Sequence, residues 1–103
     1  MRSSGVKLGL FLPPELHDRM VVATGRQGLS AAYARALTAL LDRIDAGETV
    51  TFAAVRGQKK RVTVRIEQTL CDRLRARLPA LSLKITDFAC AAVERHLSSK
   101  PGA

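Results

Sequence analysis

The stretch KKRVTVRIEQTLCDRL, residues 59 to 74, changes its periodicity halfway along. After three consecutive basic residues, Lys59, Lys60 and Arg61, polar and apolar residues alternate. Val62, Val64 and Ile66 fall on one face of a strand, and Arg61, Thr63 and Arg65 on the other. From Glu67 the spacing turns helical, with Leu70, Leu74 and Leu78 on one stripe. A short strand with a basic face, feeding directly into a helix, suits an object that enters a DNA groove, because the major groove admits a two-stranded ribbon as readily as a helix.

The same layout stands 54 residues upstream in VKLGLFLPPELHDRM, residues 6–20. Leu8, Leu10 and Leu12 match Val62, Val64 and Ile66; Leu16, Asp18, Arg19 and Met20 match Leu70, Asp72, Arg73 and Leu74. This internal repetition organises the chain. The first copy spans 6–45, a linker 46–59, and the second copy 60–97, with a frayed tail at 98–103. A copy of about 40 residues is near the size at which a lone core fails, so the two copies are expected to share one core in a single domain of 103 residues.

In the first copy a strand over 6–12 ends at Pro13, and Pro14 opens a helix over about 14–24 that buries Leu16, Met20 and Ala23. TGRQG (24–28) is a turn, and Ser30 suits the N-cap of a second helix running to about 45. That helix buries Tyr33, Leu37, Leu40, Leu41 and Ile44. In the linker, Val50, Phe52 and Val55 predict a segment packed on the surface. The second copy has a strand over 60–66, a helix over about 68–78 stopped by Pro79, and a turn ALSLKIT (80–86). Here the offset between copies shrinks from 54 to 52, aligning Leu81 and Ser82 with Leu29 and Ser30. Ser82 and Thr86 are both placed to cap the last helix, which runs to about 97 and buries Phe88, Ala92, Val93 and Leu97. The fold class is α+β, mostly α.

Net charge is +8 and unevenly spread: residues 1–47 carry six Lys/Arg against four Asp/Glu, residues 48–103 eleven against five. That is the electrostatic footprint of a polyanion binder. Cys71 and Cys90 lack metal spacing and read as small buried hydrophobes. His17 and His96 lack partners spaced for zinc. No metal or cofactor is expected. There is no paired nucleophile and base and no glycine-rich phosphate loop, so catalysis is not expected either. An RNA-binding sheet would carry stacked aromatics, and the second strand has none. No apolar run approaches a membrane span, and LGLFLPP is too short for a signal peptide. A cytoplasmic location without membrane contact is the expectation.

The segments RVTVRIEQTLCDRL and TDFACAAVERHL in the second copy, and LGLFLPPELHDRM and GLSAAYARALTALL in the first, resemble the ribbon-helix-helix family of DNA-binding proteins, the Arc and MetJ superfamily. The layout is similar to the tandem single-chain members from conjugative and Ti-plasmid DNA transfer. The resemblance implies two ribbon-helix-helix repeats in one chain forming a pseudo-dimer, with a two-stranded antiparallel ribbon and four helices. It implies double-stranded DNA as the partner, a monomeric free protein, and a role in conjugative plasmid or T-DNA transfer beside a relaxase or other transfer protein. A second copy of the chain on DNA fits a ribbon that spans a short site. Gly9 and Phe11 depart from the polar readers usual in the family.

On this reading Arg61, Thr63 and Arg65 read bases from the second strand. Arg gives two parallel hydrogen bonds to guanine O6 and N7, and Thr offers a hydroxyl and a methyl. In the first strand Lys7 meets a base or a phosphate, and Gly9 leaves room for close approach. Two placements are open to Phe11, against a thymine methyl or in the core. The family sets the N-terminus of the second helix of each repeat against the DNA backbone, a ready anion site. Here that means Leu29, Ser30 and Ala31, and Ser82, Leu83 and Lys84, with charge added by Arg26 and Lys84. For both serines, simple capping is the plainer role. Lys59 and Lys60 either grip phosphate or form a solvated linker run. Arg73, Arg75 and Arg77 read as solvated surface, and Arg35, Arg43 and Arg95 as partners of nearby acids. Two rivals share these residues: a transcriptional repressor or antitoxin of the same fold, and a protein-interaction module for which Arg61 and Arg65 are dispensable.

Overall fold

The computed structural model describes residues 5–25, 28–50, 52 and 57–98. Its elements run β1 (Gly5–Leu12), α1 (Pro14–Thr24), α2 (Leu29–Asp45), β2 (Lys60–Glu67), α3 (Gln68–Ala80) and α4 (Ile85–Ser98). The architecture is α+β and mostly helical, with one two-stranded antiparallel sheet and four helices among the described residues.

Alternation builds the sheet. The register runs from Gly5 opposite Glu67 to Leu12 opposite Lys60, with Gly9 opposite Thr63 in the middle. Leu10, Leu12, Val62, Val64 and Ile66 are buried, and Val6 and Leu8 are partly buried against the same core. The intervening residues lie on the other face, all exposed except the half-buried Gly9. Both strands therefore turn one apolar face inward.

β1 stops because Pro14 has no N–H to continue a ladder and holds Pro13 extended, at φ −55° and ψ 136°. Pro13 still contributes its carbonyl, which accepts from the N–H groups of Leu16 and His17 at 3.0 and 3.3 Å. α1 buries Leu16 and Met20, but Ala23 lies on its exposed side. α2 opens at Gly28, whose carbonyl accepts from Ala32 N–H at 2.9 Å. Ser30 is thus the second residue of the helix and not its cap. α2 buries Ala32, Tyr33, Ala36, Leu37, Leu40 and Leu41, with Ile44 partly buried near its end. Tyr33 is fully enclosed, and its hydroxyl lies 2.9 Å from His17 Nδ1 on α1.

α3 runs two residues further than the proline predicts. Pro79 lies inside its last turn, where the missing N–H removes only one late bond, and the turn closes through Leu81 N–H to the Arg77 and Leu78 carbonyls, both at 3.1 Å. Ser82 then adopts a left-handed φ of 55°. Its N–H reaches the Pro79 carbonyl at 3.0 Å, and Leu83 N–H reaches that of Leu78 at 3.0 Å. These two bonds make a Schellman stop. α2 ends in the same way, through Gly47 at φ 94° and Glu48 N–H to the Arg43 carbonyl at 3.0 Å.

Both inter-helix turns are four residues long, 25–28 and 81–84. The offset between copies consequently grows from 54 to 56 at the second helices, where shrinkage to 52 was expected. The extra length is in α3. α4 buries Phe88, Ala89, Cys90, Ala92 and Val93, with Leu97 only partly buried. Both cysteines are free thiols in the core.

The halves interleave. α2 packs against β2 and α4 against β1, while α1 also packs on α4 and α2 on α4. A single apolar cluster draws residues from every element. Within the linker, Val50 and Phe52 pack on that cluster, and the Phe52 ring stacks on Phe88 at 6.1 Å between centroids. Val55 and the tail beyond Ser98 lie outside the described residues.

Candidate functional site

Strand periodicity places Lys7, Gly9 and Phe11 of β1 beside Arg61, Thr63 and Arg65 of β2 on one outward face. Across the ladder Lys7 is opposite Arg65, Gly9 opposite Thr63 and Phe11 opposite Arg61. Phe11 is 46% exposed, which places its ring outside the core. All six residues proposed to read bases thus share one surface. Glu67 and Gly5, at one end of the ribbon, lie on the same face.

Two features of this face escape a reading of the sequence alone. A Cβ at Gly5 would collide with Cγ and Cδ of Arg65, and one at Gly9 would lie 3.5 Å from Arg61 Nε. Both arginine side chains therefore lie across glycines of the opposite strand. The signal available was the pair of glycines four residues apart in GVKLGLFL, both on the face opposite the leucines. Second, Arg65 N–H donates to Ser30 Oγ at 3.2 Å, tying the start of α2 to β2.

The first N–H groups of α2 have no intrahelical acceptor, and its N-cap, Gly28, has no side chain to offer them. Leu29, Ser30 and Ala31 supply that end without an acidic residue in the first turn. The corresponding end of α4 begins later than Ser82. Lys84 precedes the helix and its carbonyl accepts from Phe88 N–H at 3.1 Å, whereas Ser82 and Leu83 belong to the Schellman stop of α3. Ser82 is at C′ because the longer α3 needs a left-handed residue there. α4 also carries Asp87 in its first turn, which opposes an anion. Lys84 is exposed, as are Lys59 and Lys60 at the start of β2. Arg26 lies outside the described residues.

Elsewhere on the surface, four arginines are paired with Asp42, Asp45 and Glu48. Arg73 donates to Asp42 at 2.9 Å and to Asp45 at 3.0 Å, and Arg77 reaches Asp45 at 2.8 Å. The bonds to Asp42 and then Asp45 hold the Arg73 guanidinium more firmly protonated than usual. Glu48 lies between Arg43 at 3.2 Å and Arg95 at 3.5 Å. These pairs gather at the C-terminal end of α2. None involves Lys7, Lys59, Lys60, Arg61 or Arg65, so the ribbon's cations have no carboxylate within ion-pair distance among the described residues.

In the core, burial raises the Cys90 thiol pKa to about 11, with nearby Glu94 and Asp87 adding to the effect. Burial likewise raises that of the Tyr33 phenol, and Cys90 adds to it. Both groups are neutral near pH 7. Among the described residues no group of His, Cys, Asp and Glu is arranged to hold a metal, and no helix is long and apolar enough to cross a membrane. No family model, curated protein or solved structure matches this chain.

Proposed function

We propose that this chain binds double-stranded DNA as a single-chain ribbon-helix-helix pseudo-dimer, laying the β1–β2 ribbon in the major groove. The observation that carries this reading is the outward ribbon face, on which Lys7, Arg61 and Arg65 stand without a carboxylate partner, whereas Arg43, Arg73, Arg77 and Arg95 are engaged by Asp42, Asp45 and Glu48. Unpaired cations on a surface narrow enough for the groove suit a polyanion whose bases they can reach. Arg61 and Arg65 bind guanine edges, Thr63 adds a hydroxyl and a methyl, Lys7 adds charge, and exposed Phe11 meets a thymine methyl. Phosphate is held at the N-terminal end of α2 and by Lys59, Lys60 and Lys84.

The role within that class is either an accessory factor for conjugative plasmid or T-DNA transfer, next to a relaxase or transfer protein, or a repressor or antitoxin. Fluorescence anisotropy with duplexes from the transfer origin and from the chain's own promoter, at two salt concentrations, tests both layers. Tight, salt-sensitive binding that Arg61→Ala/Arg65→Ala abolishes supports the ribbon as reader, and the preferred duplex separates transfer from repression. Absence of binding at low salt defeats the proposal. A protein-interaction module is the second reading. It is favoured by Val22, which is 87% exposed on α1 near Leu97, and it predicts that the double variant changes nothing.

A further inference from the structure

We infer that the ribbon reads its duplex from one strand: β2 supplies both guanine-binding arginines, β1 supplies the gaps they lie across, and the target is a non-palindromic duplex with two guanines three or four base pairs apart. The inference rests on the DNA-binding reading above.

The 54-residue offset between strands lets each position be compared with its counterpart. A symmetric ribbon would repeat Arg61 and Arg65 at positions 7 and 11. Those positions hold Lys7 and Phe11. Lysine offers a point charge and no bidentate fork, and phenylalanine offers no hydrogen bond. The gaps are equally one-sided. Gly5 and Gly9 on β1 correspond to Lys59 and Thr63, each with a side chain where β1 has none. Turned end for end, the ribbon presents different chemistry to the same base pairs, and an inverted repeat would satisfy only half of it.

Geometry fixes the spacing. Arg65 is opposite Lys7 but lies over Gly5; Arg61 is opposite Phe11 but its Nε and Nη2 pass 3.5 and 3.7 Å from where a Gly9 Cβ would be. Each arginine thus lies across the neighbour two residues along β1. Because both lean the same way, they keep the strand's spacing. Four residues of antiparallel strand span about 13 Å. With base pairs stacked about 3.4 Å apart and rotating about the axis, that distance separates guanine edges three or four pairs apart. The ends of the ribbon repeat the imbalance, since Ala31 on α2 corresponds to Asp87 on α4.

The test is selection of the full chain on a randomised duplex library, followed by anisotropy with variants on the selected duplex. The expected motif has two guanines at that spacing and no inverted repeat. Arg65→Ala and Gly5→Ala should each lose about ten-fold in affinity for the selected duplex and become indifferent to the same guanine, because a Cβ at residue 5 displaces Arg65. Thermal unfolding of both variants should change little. Gly9→Ala, whose Cβ only touches Arg61, should keep its preference. An inverted-repeat motif, or Gly5→Ala with unchanged preference, overturns the one-strand readout while DNA binding stands. Selection of no duplex overturns the functional reading itself.

Discussion

At the scale of single residues, the core tolerates polar atoms only where they are satisfied. Tyr33 is fully buried and its hydroxyl is within 2.9 Å of His17 Nδ1, with the two rings stacked at 6.1 Å. Tyr33→Phe removes one hydrogen bond and leaves the ring, so urea unfolding should show a loss of about 0.5–1.5 kcal/mol. Cys90 behaves differently because its cost appears with pH. Its folded pKa is about 11, raised by burial above the ordinary 9.0. The folded state therefore holds the thiol proton more tightly than the unfolded chain. The associated stability is fully present below pH 9 and is lost as pH rises from there through about 11. Unfolding free energy measured between pH 7 and 11 should fall less steeply for Cys90→Ala than for the parent chain. Equal slopes would show that Cys90 titrates alike in both states.

At the scale of elements, what could be read from the sequence followed from periodicity. The alternation at 61–66 placed Arg61, Thr63 and Arg65 outward, and the repeat 54 residues earlier located β1 and α1. Where one element ends and another begins depends on backbone geometry that residue patterns encode weakly. A proline in a last turn costs one late bond, so Pro79 did not end α3. Ser82 looked like a cap for α4 because serine favours N-caps, yet it closes α3 in a left-handed conformation that glycine occupies at Gly47. The glycine troughs under Arg61 and Arg65 depend on the pairing register, which only the folded ribbon supplies. Ser82 carries a cost at φ 55° that glycine would not. Ser82→Gly should therefore stabilise the protein by about 0.5–1 kcal/mol, seen as a rise in thermal midpoint of a few degrees. A lower midpoint would mean that the hydroxyl contributes more than the backbone strain costs.

At the scale of the whole molecule, the interleaved helices make the halves interdependent. α2 rests on β2 and α4 on β1, so each half lacks the strand that covers its own second helix. Separate peptides 1–47 and 58–103 should each show little cooperative unfolding by circular dichroism, and mixing them should restore it. A half that folds alone as a monomer would contradict the shared core. The intact chain, with both strands paired internally, should run as a monomer in light scattering. On DNA, each phosphate neutralised by a ribbon or helix-end cation releases counterion, so log affinity should fall linearly with log salt. Replacing Lys60 with Ala should reduce that slope by about one without changing sequence preference.

The pairing of β1 with a strand 54 residues later also sets a timetable for synthesis. At about 5–20 residues per second, the first strand emerges from the ribosome about 3–10 seconds before its complement. During that interval the nascent half has no strand to pair with except the same half on a neighbouring ribosome of the same message. Yield of correctly closed chains is then a race between translation speed and encounters among growing neighbours. Slow codons in the linker would handicap it, and faster elongation through residues 46–67 would favour closure within one chain.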